Sequence, residues 1–166
     1  EREIPRTISR ETTFHEATAK REEIDGMLFY LVDRGMRTIR QLGLQVRTVK
    51  VSLRYSDWVR EDATRSLPPT SIDEEVQPVV RQLLWGRYTR RVTLRHVGVV
   101  FGNFSRQGAQ LDLFSDGRFR LLHEAVDQIR ERFGHGAIVA GRAISLLGKI
   151  PHDSYGYILR TPSLTK

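Results

Sequence analysis

The chain has 166 residues, 39% hydrophobic and 28% charged, with no cysteine and a formal net charge of +7. That length holds one domain with an appendage, or two very small ones, of ordinary globular composition. The missing cysteines exclude disulfides and thiolate metal sites and fit a reducing compartment, and neither a membrane-length apolar run nor a secretory segment is expected.

The chain starts at Glu1 rather than Met, as expected of a piece of a longer protein, and residues 1–6, with Pro5, read as a linker. Thr7 to Phe14 alternates, with Ile8 and Phe14 on one side, and predicts a first strand. Lys20 to Leu42 predicts a helix, because Ile24, Leu28, Leu31, Gly35, Ile39 and Leu42 form one apolar stripe. Gly43 stands where a left-handed residue would end that helix. Gly35 costs about 1 kcal/mol of helix propensity and marks a close approach to a sheet.

Val46 to Trp58 predicts the central strand. Val49, Val51, Leu53 and Tyr55 fall on one face, and Lys50, Ser52, Arg54 and Ser56 on the other. Asp57 to Asp62 reads as a turn, and Ala63 to Leu67 as a short hairpin strand ended by Pro68 and Pro69. Ser71 to Tyr88 predicts a second helix with a Ser71–Glu74 capping box, although Pro78 moves its regular start toward Glu75. Arg91 to Phe104 is the last strand, with a slip at His96–Val97 before Gly98 that predicts a bulge. Trp58 and Trp85 read as structural.

The predicted class is α+β: a βαββαβ domain whose four-stranded sheet carries two helices on one face. The other face stays open and presents cations and hydroxyls, the groups that contact phosphates. Charge is segregated accordingly. No acid occurs from Gly35 to Ser56 or from Val76 to Leu111, stretches that hold Arg37, Arg40, Arg47, Lys50, Arg54, Arg81, Arg87, Arg90, Arg91, Arg95 and Arg106. This favours a polyanionic partner. The open face lacks exposed aromatics, Tyr55 and Phe14 falling in the inward set, which favours duplex backbone over stacked single strands.

After a linker at Arg106 to Gly108 comes the pentapeptide Gln110-Leu111-Asp112-Leu113-Phe114. Phe119, Leu122, Val126, Ile129 and Phe133 then predict a third amphipathic helix ending at Gly134, with a narrow seam that docks on the domain or on another chain. Beyond His135 the tail is irregular, with a short β-like piece at Ala137 to Ala140.

The blocks I-S-R-E-T-T-F, R-T-V-K-V-S-L-R-Y-S-D, T-R-S-L-P and R-H-V-G-V-V-F-G-N-F, with a helix after the first and third, resemble the little finger domain of Y-family translesion DNA polymerases, the DinB (DNA polymerase IV) branch above all. Q-L-D-L-F is similar to the peptide by which bacterial members bind the β sliding clamp, and L-L-H-E-A-V-D-Q-I-R-E-R-F-G to the C-terminal helix of longer DinB-like proteins. The resemblance implies residues 1–6 as linker from a thumb domain, 7–106 as little finger, 107–115 as clamp peptide, 116–134 as C-terminal helix and 135–166 as tail. It also implies a cytoplasmic, nucleoid-associated bacterial protein that binds template-primer duplex.

Carried over block by block, the DNA contacts are Ser9, Arg10 and Thr13 on the first strand, Lys50, Ser52 and Arg54 on the central strand, Arg65 and Ser66 on the hairpin strand, and Arg95 and His96 on the last. Gln110, Leu111, Asp112, Leu113 and Phe114 would bind the clamp. Nucleotidyl transfer in the family uses palm carboxylates on two Mg2+ ions, so no catalytic residue, metal site or cofactor is expected in this chain. Asp73-Glu74-Glu75 favours the N-terminus of a helix instead. An alternative is an interaction module of a catalytically inactive polymerase relative. A third reading rests on the βαββαβ order of small acylphosphatase-type hydrolases, with Arg10 and Asn103 as candidates.

Overall fold

Alternation along four long strands sorts side chains onto two faces, and two helices cover the apolar one. The computed structural model describes residues 4–106 and 117–146. The main elements are β1 (Thr7–Thr18), α1 (Arg21–Gln41), β2 (Leu44–Tyr55), β3 (Arg60–Thr70), α2 (Asp73–Arg87) and β4 (Leu94–Gly102), the expected βαββαβ order. The strands are antiparallel in the order β1-β4-β2-β3, and a two-residue β5 (Ser105–Arg106) pairs with the start of β2.

Val49, Val51, Leu53 and Tyr55 of β2 and Val97, Val99 and Phe101 of β4 are at most 1% exposed beneath the helices. Each such burial contributes about 1.5–3 kcal/mol. Gly35 of α1 lies directly on this layer. A Cβ there would sit 2.8 Å from Cζ of Phe101 and closer still to Cε2, so the ring packs on bare helix backbone. Gly43, at φ +65°, ends α1 as expected, its N–H donating to the Arg40 carbonyl at 2.9 Å.

Three local expectations are corrected. β3 starts earlier than expected, at Arg60, and runs through Pro68 and Pro69 to Thr70. It is an edge strand, where a missing N–H is tolerated, and its register skips between Thr48–Ser66 and Val46–Thr70. The Ser71–Glu74 box does not form, because the Ile72 N–H donates to Thr70 Oγ1 at 3.0 Å while the Glu74 carboxylate meets His123 at 2.7 Å. α2 nevertheless begins at Asp73 and continues through exposed Pro78, which gives up one backbone bond.

The helix α3 (Gly117–Phe133) meets the domain by a side other than its apolar seam. It docks on the outer side of α1, but by its polar edge. Phe119, Leu122, Ile129 and Phe133, the expected seam, are 39–73% exposed, whereas Arg130 is 4% exposed. The Arg130 guanidinium donates to both oxygens of Asp33 at 2.7 and 2.8 Å and to the Ile138 carbonyl. Arg40 bridges Asp73 of α2 and Asp127 of α3, and Arg37 reaches Glu131. The outer side of α1 therefore offers ions rather than an apolar groove, and α3 turns its matching ions toward it. The chain returns through 3-10 turns at His135–Ala137 and Gly141–Leu146, the second against α1, so the piece expected to be β-like at Ala137 to Ala140 forms no strand. Burial, and then the neighbouring Arg130, lowers the pKa of His135 to about 4.

Candidate nucleic-acid interface

The face of the sheet away from α1 and α2 is built by register. Across it, Thr13, His96, Arg54 and Arg60 lie in one row, Glu11, Gly98, Ser52 and Asp62 in the next, and Ser9, Val100, Lys50 and Thr64 in a third. Gly98 gives the middle row its floor. A Cβ there would meet Ser52 Oγ at 2.8 Å and Glu11 Cβ at 3.0 Å, so a bare position lets the flanking side chains close over β4. The result is a shallow depression of about 500 Å³ whose lining mixes Lys50, Arg54, Arg60 and His96 with the acids Glu11, Glu61 and Asp62.

The predicted bulge lies one residue earlier than expected and serves this face. Arg54 pairs with His96 but Tyr55 pairs with Leu94, leaving Arg95 as the extra residue. Leu94 and Val97 both point into the core, while Arg95 is exposed and His96 half-buried on the open side. Two adjacent residues thus share one face, which strict alternation forbids.

The electrostatics of the face are mixed. Lys50 is ion-paired with Asp62. His96 Nδ1 lies 3.2 Å from Thr13 Oγ1, and its Nε2 lies 3.5 Å from Glu11. Burial lowers the His96 pKa; the Glu11 carboxylate opposes this and the Arg54 cation adds to it. The ring is therefore neutral at pH 7 in the free protein. The Arg54 guanidinium lies 4.9 Å from the centre of the Trp58 ring, and its Nε is buried without a hydrogen-bond partner among the described residues.

Of the residues predicted from sequence, Ser9, Thr13, Lys50, Ser52, Arg54, Ser66, Arg95 and His96 share the open side. Arg10 and Arg65 do not. Arg10 alternates with Ser9, is 9% exposed on the helix side and donates to Thr38 Oγ1 of α1 at 2.8 Å. Arg65 pairs with core-facing Val49 and donates to Gln82 of α2 at 2.6 Å. The acid-free stretches mislead in the same way, since Arg37 and Arg40 are spent on α3. Arg10 and Asn103, the hydrolase candidates, are not brought together: Arg10 faces α1 opposite Val99, and Asn103 lies beyond the end of β4. Gln110 to Phe114 lies outside the described residues.

Sequence reasoning missed Arg60, Asp62 and Trp58 on this face. All three fall within Asp57 to Asp62, read as a turn and so assigned to no face. Glu11 was legible, since it alternates with Ser9 and Thr13. Among the described residues, no group of three or more His, Asp and Glu is placed to hold a metal ion, and no helix is long and apolar enough to cross a membrane.

Fold and face together define a βαββαβ module with one uncovered, cation-bearing sheet surface. Residues 5–113 match the model of the impB/mucB/samB family C-terminal domain, and the chain belongs to that family. Its relatives include the DNA polymerase IV of Opitutus terrae, 30% identical over 148 residues that cover 87% of this chain and 38% of that protein. The DNA polymerase IV of Caulobacter vibrioides is 33% identical over 84% of this chain and 35% of its own length. The chain thus spans little more than a third of these relatives. Among solved structures, an insertion ternary complex of Dbh DNA polymerase shares the fold at a TM-score of 0.53 and 16% identity, over 60% of this chain and 29% of that one. A complex of the beta-clamp processivity factor with the little finger domain of PolIV is similar at a TM-score of 0.49 and 18% identity, over 66% and 99%.

Proposed function

We propose that this chain is the little finger portion of a Y-family translesion polymerase and grips template-primer duplex by its phosphates through the open sheet face. One observation carries the reading: Lys50, Arg54, Arg95 and His96, with Ser9, Thr13, Ser52 and Ser66, share the sheet face that α1 and α2 leave uncovered. Hydroxyls and cations without base-reading pairs bind backbone irrespective of sequence, which suits an enzyme that must hold damaged DNA. Nucleotidyl transfer, with its Mg2+ ions, belongs on this reading to parts of the relatives that this chain does not span. The place of action is the cytoplasm, at the nucleoid.

The test is a fluorescence-anisotropy titration of the full chain with blunt duplexes of unrelated sequence. Arg54→Ala and Arg95→Ala each lower the salt slope by about one unit, whatever the sequence. Arg65→Ala, on the helix side, leaves it unchanged. Equal effects from Arg65 and Arg54 would contradict the face assignment.

The same proposal tethers the chain to the β sliding clamp through Gln110, Leu111, Asp112, Leu113 and Phe114, two apolar anchors with a polar lead residue just after the domain. Leu113→Ala with Phe114→Ala abolishes clamp binding and leaves duplex binding intact. An unchanged clamp titration would remove the tether.

A further inference from the structure

Trp58 does what a large aromatic residue in a tight turn rarely does. It holds a left-handed backbone, φ +73°, and is 73% exposed. Bulky residues seldom adopt that conformation, so the surrounding turn must impose it. The turn is pinned at several points. Trp58 N–H donates to the Tyr55 carbonyl at 3.0 Å, and Tyr55 N–H to the Val59 carbonyl at 2.9 Å. Arg90 grips both oxygens of Asp57 at 3.0 and 2.6 Å, and Ser56 N–H donates to the Thr93 carbonyl at 2.9 Å. The indole is presented on a fixed support.

Its setting is cationic. Arg54 lies over the ring at 4.9 Å, and Arg60 pairs with Arg54 on the neighbouring strand, on the same sheet face. An aromatic plate beside a row of cations is the pattern by which proteins hold unpaired bases: the ring takes the base and the cations take its phosphates. A duplex shows no π-face along its side. A base displaced from it, or beyond its end, does.

We propose that Trp58 is a stacking site for an unpaired nucleobase, at the end of the phosphate-binding face, and that the chain prefers duplex with a single-stranded extension over blunt duplex. The guanidinium of Arg54 backs one face of the indole and leaves the other for the base. Arg60 is placed to meet the adjoining phosphate. This inference rests on the duplex-binding reading above and adds to it a second, single-stranded element of the ligand.

The experiment uses the full chain and three labelled DNAs: blunt duplex, the same duplex with a short single-stranded extension, and the extension alone. Trp58 and Trp85 are the two tryptophans, so Trp85→Phe leaves Trp58 as sole reporter. The extension quenches its emission and the blunt duplex does not. In anisotropy, Trp58→Ala weakens binding of the extended duplex by ~10-fold, the scale of one base–aromatic stack, and changes blunt-duplex affinity less than twofold. Trp58→Phe keeps most of the gain and shows that the ring itself is what matters. Equal losses on blunt and extended DNA overturn the proposal, as does no gain from the extension in the wild type. A loss confined to binding of the sliding clamp also overturns it and assigns Trp58 to a protein pocket. If the wild type binds none of the three DNAs, the duplex reading itself falls.

Discussion

Replacing Arg130 by Met tests how α3 is held. The change keeps an unbranched apolar stem and removes a guanidinium that is 3% exposed. Lost with it are two charge-assisted bonds to Asp33, at 2.7 and 2.8 Å, and two to the Ile138 carbonyl, at 3.1 and 2.8 Å. Removing one partner of a buried ion pair costs about 3–5 kcal/mol. The Asp33 side chain is 14% exposed, so water reaches it and the low end applies. Arg40–Asp127, Arg37–Glu131 and His123–Glu74 remain as tethers, so the helix opens more often without leaving for good. A loss of about 3 kcal/mol raises amide exchange in α3 by ~100-fold, while amides of β2 and β4, in the core beneath, exchange as before. Pairing Arg130→Met with Asp33→Leu recovers much of the protection, because no unpaired charge is left. Unchanged exchange in α3 would refute the claim that ions, and not its apolar seam, dock the helix. Equal loss in β2 and β4 would refute the claim that α3 is an outer layer.

Four other outcomes follow from the same geometry. Gly35→Ala gains about 1 kcal/mol of helix propensity but drives a methyl into the Phe101 ring at a cost of about 1–3 kcal/mol, so urea denaturation shows a net loss of up to about 2 kcal/mol; stabilisation would show that the helix stands off the sheet. His96, neutral when free because burial lowers its pKa, gains a proton when a phosphate arrives. Duplex affinity then rises as pH falls, and His96→Gln flattens that rise. Asp62→Asn and Glu11→Gln remove the acids that compete for Lys50 and His96, and each strengthens duplex binding at low salt. His135, held at about 4 by burial and Arg130, stabilises the fold fully above 6.5 and loses that contribution as pH falls from 6.5 towards 4. The loss is on the order of 3 kcal/mol, read as acid-induced opening of α3, and His135→Gln abolishes that pH dependence.

The elements that sequence revealed best are those in which one periodicity runs uninterrupted. Val49 to Tyr55 alternates without a break, and the face of every residue in it came out as expected. The stripe of α1 from Ile24 to Ile39 and the left-handed Gly43 were equally plain, while Leu42 at its end is exposed. Errors arose where placement depends on a partner strand or helix. Arg10 and Arg65 carry the right charge, but each is one pleat out of phase with the open face and lies within reach of a helix polar group, Thr38 or Gln82. A family block matches their residue type and says nothing of their side. The left-handed backbone and the exposure of Trp58 are set by the turn around it and have no sequence signal. The seam of α3 is periodic as expected, but of its two possible docking partners the domain is not the one it meets, since nothing local records that the outer side of α1 presents Asp33, Arg37 and Arg40.

The most direct test of the account is an amide chemical-shift titration of the full chain with blunt duplex at moderate salt. Shifts confined to Ser9, Thr13, Lys50 to Arg54, Arg95 and His96, with the outer surfaces of α1 and α2 silent, are what the open-face grip predicts. Shifts centred on α2 or α3, with the sheet face unmoved, would contradict it.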